Sequence, residues 1–214
     1  MNPAETDALI VVDVQNDFLP GGSLAVPQGD AVVPAVNALA ARFGIVVATQ
    51  DWHTPGHLSF ASAHPGRGPF ETVPMPYGPQ ILWPDHCVQG TAGAALAPGL
   101  ELSKAQLLLR KGHHHAVDSY SAFREADRIT PTGLAGYLRE RGARHLFVCG
   151  LATDFCVAWT ALDGRAAGFE VSVVEDACRA IDLDGSLARA WAEMEAAGVR
   201  RVSSAGLRLP SRPA

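Results

Sequence analysis

The stretch HLFVCGLATDFCVAWTAL, from His145 to Leu162, changes its hydrophobic period halfway along. It opens on a continuous apolar run, His145 to Cys149, which reads as a strand covered on both faces. After a polar break, Val157, Ala158, Ala161 and Leu162 fall on the face of a helix. A buried strand that feeds a helix through a short turn is half of a βαβ unit.

Outward from this stretch the same alternation repeats. Ala8 to Val12, Ile45 to Thr49 and Gln106 to Leu109 read as strands before it, and Glu170 to Val174 and Val199 to Val202 as strands after it. Between them, Val33, Val36, Leu39, Ala40 and Phe43 keep helical spacing ahead of Gly44. Leu134, Tyr137, Leu138 and Arg141 do so ahead of Gly142, and Leu187, Ala190, Trp191, Met194 and Ala197 ahead of Gly198. A glycine just past the last periodic residue is a helix stop. Strand then helix, repeated, predicts right-handed crossovers and a three-layer α/β/α sandwich around a mainly parallel sheet of about six strands.

With 214 residues, 48% of them hydrophobic, the chain suits one substantial core, so a single domain over residues 1–214 is expected. From about residue 51 to 99 the rhythm breaks into Pro, Gly and His, and so long an irregular stretch inside a compact domain points to function. The closing LPSRPA, residues 209–214, is expected to fray. There is no internal repeat and no glycine fingerprint for a dinucleotide.

The net charge of −5 and the scattered basic residues argue against nucleic acid as a partner. No apolar run approaches the roughly 20 residues of a membrane span. The acidic start MNPAETDALIVVDV lacks the features of a signal peptide, so a cytoplasmic location is expected. The four cysteines, Cys87, Cys149, Cys156 and Cys178, form no CxxC pair and read as free, mostly buried thiols.

Ligands of an open parallel sheet bind beyond the carboxyl ends of its strands. Those ends carry Asp13, then Asp51-Trp52-His53, then Arg110-Lys111-Gly112, then Gly150 to Cys156. Thr153 or Asp154 is a good N-cap for the following helix, which sets Cys156 in the first turn, where free N–H groups favour a thiolate. A nearby Lys111 adds to that effect, and Asp13 is a candidate acid/base. Taken singly, each is more often a buried thiol, a turn residue or a surface cation; their convergence on one rim is the signal. Asp51 and His53 point the same way from an extended chain, as metal ligands do, with His57, His64 or His86 available as a third. Two imidazoles and a carboxylate suit zinc, iron or manganese. The run His113-His114-His115 reads as loop, because adjacent side chains there should diverge.

The segments VDVQNDF (Val12 to Phe18), PGGSLAV, TQDWHTPGHLSFA, WPDHCVQGTAGA, KG and CGLATDFCV together resemble the nicotinamidase/pyrazinamidase family of isochorismatase-like cysteine hydrolases, over residues 7 to 202. The resemblance implies a catalytic triad of Asp13, Lys111 and Cys156, and metal ligands Asp51, His53 and His86, with the role of His57 open. It implies that Phe18, Trp83 and Leu151 contact substrate. It also implies a cis peptide at Leu151-Ala152 that turns the N–H groups of Ala152 and Cys156 into an oxyanion hole. The implied cofactor is one divalent metal ion, zinc before iron or manganese. The implied substrate is nicotinamide, hydrolysed to nicotinate and ammonia through a thioester, with pyrazinamide as a second. A homo-oligomer is left open. The HHH run is the main departure from the family pattern. The competing readings are a metal-free amidase acting on an N-carbamoyl or ureide compound, an isochorismate hydrolase, and a binding module without catalysis. The DWH and WPDHC segments weigh against the first. The second would not require Cys156, and the intact triad weighs against the third.

Overall fold

The computed structural model describes residues 3–207, so the tail at 209–214 lies outside the described residues. Its strands in chain order are β1 (Asp7–Val12), β2 (Ile45–Asp51), β3 (Thr72–Met75), β4 (Gly78–Ile81), β5 (Leu107–Lys111), β6 (His145–Leu151), β7 (Glu170–Arg179) and β8 (Arg200–Val202). Its α-helices are α1 (Val32–Ala40), α2 (Leu134–Glu140), α3 (Ala158–Ala166) and α4 (Ser186–Ala196). Six strands form one parallel sheet in the order β5-β2-β1-β6-β7-β8.

The apolar runs take the places their composition demands. Every residue of β1 and β2 is buried, as expected for central strands with layers on both faces. The edges differ from that expectation: β5 alternates half-buried and exposed positions up to the buried Lys111, with Leu108 at 45% exposure, because an edge strand has less to pack against. The main core joins the strand residues to Val36, Leu39, Leu134, Leu138, Ala161 and Met194 of the four helices.

The irregular region holds more order than its sequence suggests. β3 and β4 pair as an antiparallel hairpin, with Pro74 opposite Pro79. Four-residue strands that each contain a proline carry almost no β signal. Isolated bridges from His53 to Val88 and from Phe60 to Trp83 tie the rest of this region to the rim. A second irregular connection, from Gly112 to Gly133, separates β5 from α2.

The chain leaves β1 toward β2 on one side and returns to β6 on the other. The crevice for a ligand therefore opens at the carboxyl ends of β1 and its neighbours. Gly150 makes the β1–β6 contact there: its φ is +115°, and a Cβ would lie 2.1 Å from the Val12 carbonyl oxygen. Gly150→Ala should destabilise the protein by roughly 2–4 kcal/mol, read as a lower urea midpoint; an unchanged midpoint would show that the contact can relax.

Candidate active site

The sheet order sets the site. Lys111, Asp51 and Asp13 stand at the ends of β5, β2 and β1, three adjacent strands, and the next strand, β6, leads into Cys156. Asp51 and Lys111 are partners in register across β2 and β5. Asp13 adopts a left-handed φ of 47° just past β1, a turn that ends the strand.

Lys111 is the hub. Its Nζ lies 2.8 Å from Asp13 Oδ2 and 3.0 Å from Asp51 Oδ1. It donates to the Ser119 carbonyl at 2.8 Å and reaches Cys156 Sγ at 3.4 Å. Burial alone would strip its proton, but Asp13, Asp51 and Cys156 overrule that and hold it well above the usual lysine range. It stays a cation.

Asp13 is fully buried, and its Oδ1 accepts a 2.6 Å bond from the Thr49 hydroxyl. Its Oδ2 makes a 2.8 Å ion pair with the Lys111 ammonium. Burial raises the Asp13 carboxyl, Lys111 partly offsets this, and Asp51 pushes it further up. A carboxylate with a raised pKa therefore stands beside Cys156, since ligand atoms of Asp13, Asp51 and Cys156 lie within 4.8 Å of one another.

Cys156 corrects two expectations. It sits in a five-residue π-helical turn, Thr153–Val157, that precedes α3, and neither Thr153 nor Asp154 caps it with a side chain. The Asp154 carboxylate instead accepts from the N–H groups of Ile181 and Asp182 and from the Ser186 hydroxyl, anchoring the approach to α4. Nor is the thiol biased toward thiolate. Burial pushes it well above its ordinary range, Lys111 only partly offsets this, and the two carboxylates add to the rise. The resting group is an S–H. The peptide between Leu151 and Ala152 is cis.

The metal-ligand candidates are ordered by carbonyl groups. His53 Nδ1 donates to the Gly112 carbonyl at 3.0 Å, and His86 Nδ1 to the Pro84 carbonyl at 2.8 Å. A carbonyl can only accept, so each Nδ1 carries a proton, and Nε2 is the nitrogen that each ring turns toward Asp51. Those two Nε2 atoms lie 3.2 and 3.6 Å from Asp51 Oδ2, so three donors converge on one point. Outer hydrogen bonds of this kind are what orient metal-binding histidines. Burial would raise Asp51, but His53 and Lys111 hold its carboxyl well below the ordinary range. Gln15 clamps its backbone, accepting from the Asp51 N–H at 2.7 Å and donating to its carbonyl at 2.9 Å. The donor set fits one divalent ion.

His57 is not part of that set. Its Nε2 donates to the His114 carbonyl at 2.7 Å, and its Nδ1 meets the Ser59 hydroxyl at 2.8 Å, so both nitrogens are engaged. Burial holds its pKa down to about 4. His64 is turned elsewhere, toward the Leu58 carbonyl. Gly112 has φ +70°, and a Cβ there would lie 2.6 Å from His53 Cε1, so only glycine lets the carbonyl reach the imidazole.

A narrow cavity meets this arrangement, lined by Phe18, Trp83, Asp51, His86, Ala152 and Cys156 among others. Trp83 is fixed by a 2.9 Å bond from its Nε1 to the Tyr120 hydroxyl and by the edge of Phe155, at 4.9 Å between centroids. Leu151, at the end of β6, is fully buried in the core, and it is not among the residues that line the cavity. Sequence reasoning had overlooked Tyr120, Phe155, Asp118 and Leu24, which do line it. Leu24 and Phe155 lie inside segments already singled out. Tyr120 and Asp118 lie in the irregular connection after Lys111, which carries no periodic signal.

An isochorismatase domain model matches residues 7–205. The chain is 59% identical over 204 residues to the nicotinamidase of Acinetobacter baylyi, covering 95% of each. A solved nicotinamidase/pyrazinamidase of Acinetobacter baumanii superposes with a TM-score of 0.95 at 55% identity, over 97% of this chain and 100% of that one. A pyrazinamidase of Pyrococcus horikoshii solved in complex with zinc gives a TM-score of 0.75 at 37% identity, over 92% and 99%.

Removing the hub tests these electrostatics. Lys111→Met leaves Asp13 and Asp51 buried without their cation, and should cost about 3–5 kcal/mol at pH 7. Uncompensated, both carboxyls would have folded-state pKa values above their unfolded ones. The penalty is then full above the raised folded-state pKa values and shrinks as pH falls through them toward about 4, the unfolded carboxyl range. Urea denaturation at pH 7 and pH 5 measures this; a penalty that grew on acidification would refute the assignment.

Proposed function

We propose that this chain, which belongs to the isochorismatase family and is similar within it to nicotinamidases, hydrolyses nicotinamide to nicotinate and ammonia through a thioester on Cys156, with pyrazinamide as a second substrate. The observation that carries the reading is a single aromatic-walled cavity that holds Cys156 together with the metal-ligand residues Asp51 and His86. A metal-free amidase would have no use for the Asp51–His53–His86 convergence. The free thiols suit a reducing, cytoplasmic setting.

Asp51 Oδ2 and the Nε2 atoms of His53 and His86 would hold one divalent ion, zinc before iron or manganese. That ion supplies a Lewis-acid anchor for the ring nitrogen of the substrate. Phe18 and Trp83 confine the flat ring, so that the carboxamide carbon faces Cys156; such orientation is a large part of catalysis. The Asp13 carboxylate takes the thiol proton as sulfur bonds to that carbon. The N–H groups of Ala152 and Cys156 receive the developing oxyanion, each worth roughly 3–4 kcal/mol in comparable sites. Asp13 then returns the proton to the leaving nitrogen, and ammonia departs. Water attacks the thioester, Asp13 takes its proton, and the C–S bond breaks to give nicotinate and restore the thiol. Lys111 stays charged throughout, holding Asp13 in place and stabilising the sulfur as its proton leaves.

Cys156→Ala should lower ammonia release from nicotinamide by at least about a thousandfold while calorimetry still detects nicotinamide binding. Turnover within tenfold of the parent would sink the nucleophile assignment. Dialysis against a chelator should remove most of the activity, and added zinc should restore it. If metal-free protein, checked by elemental analysis, worked at full rate, the ring-anchoring role would be wrong.

A further inference from the structure

His113 and His114 do not diverge as adjacent loop residues should: their ring centroids are 4.5 Å apart. His114 Nδ1 lies 2.7 Å from Oε2 of Glu125, and donor atoms of His113, His114 and Glu125 all fall within 4.8 Å of one another. The histidines are exposed, whereas Glu125 is 3% exposed. Its backbone is fixed as well, donating to the Thr130 carbonyl and accepting from the Arg128 N–H. A buried carboxylate needs a cationic partner. The arginines beside it in sequence do not serve, because Arg124 and Arg128 both pair with Asp163.

We propose that His113, His114 and Glu125 form an outer site for a second divalent transition ion of the zinc type, distinct from the Asp51–His53–His86 set. Zinc binds imidazole nitrogen at about 2.0–2.1 Å and carboxylate oxygen at about 2.0–2.2 Å, so tetrahedral neighbours stand about 3.4 Å apart. The fixed carboxylate supplies one ligand in place, and the two exposed imidazoles can rotate the remaining distance. Two nitrogen donors select zinc, nickel or copper over magnesium or calcium. Solvent at the exposed side completes the coordination.

The position gives such an ion a consequence for the inner site. The segment that carries both histidines also carries the Gly112 carbonyl that orients His53 and the His114 carbonyl that engages His57. An ion bridging this segment to Glu125 ties it to the turn at residues 125–130. It thereby stiffens the support of an inner ligand without touching substrate.

The test is zinc stoichiometry on protein that carries no affinity tag. Holoprotein is equilibrated at buffered free zinc concentrations and the bound metal is counted by elemental analysis. The parent should bind one more ion than the His113→Ala/His114→Ala double variant or Glu125→Gln, or bind it at least about tenfold more tightly. The exposed single variant His113→Ala should weaken the same ion, which guards against misfolding of Glu125→Gln. Asp51→Asn should lose the inner ion and keep the outer one. Equal stoichiometry and affinity in the parent and all outer-site variants would overturn the proposal. Nicotinamide turnover on the same samples keeps the readings apart: an outer ion in a protein that does not hydrolyse nicotinamide would refute the function and leave this site standing.

Discussion

The ammonium of Lys111, 1% exposed and reaching Asp13, Asp51, Ser119 and Cys156, is the contact on which the rest of the site depends. Two buried carboxylates this close could not both remain ionised without a cation between them. Lys111 divides its charge unequally in effect. Asp51, which also has His53, is held firmly ionised and is available as a ligand. Asp13, with less compensation, stays raised and able to accept and return a proton. One lysine thus accompanies opposite shifts in two aspartates, the division that the proposed roles of metal ligand and acid/base need near neutral pH.

That contact exists because of strand order. A parallel sheet whose second strand lies on one side of the first and whose sixth lies on the other brings four carboxyl ends side by side. Register then sets Asp51 directly against Lys111. The close β1–β6 approach at Gly150 draws the turn bearing Cys156 toward Asp13. The irregular segments add what the strands cannot: aromatic walls, the His86 ligand, and carbonyls that fix the two imidazoles.

The α/β alternation, the strand-end residues and the convergence of Asp13, Lys111 and Cys156 were legible in the sequence because they rest on period and position. Between His57, His64 and His86 the pattern could not choose, since irregular backbone has no period to extrapolate; only the carbonyl partners separate them. The hairpin of Thr72–Met75 and Gly78–Ile81 was hidden by its prolines. The state of Cys156 was misjudged for a different reason. A helix start and a nearby lysine favour a thiolate, but the cost of burial is a property of the folded surroundings and outweighs both.

That protonated thiol clarifies how the site is held ready. Thiolates are the forms that oxidise and alkylate. A buried S–H beside a carboxylate is poor at both, yet under the proposed mechanism it would lose its proton once an electrophilic carbon and oxyanion donors were in position. Under the proposed mechanism the substrate would complete the environment that makes sulfur reactive: it would displace water from the cavity, and its developing charge would be met by fixed N–H groups rather than solvent. Burial, which opposes the chemistry when Cys156 is considered alone, would then confine reactivity to molecules that fit between Phe18 and Trp83.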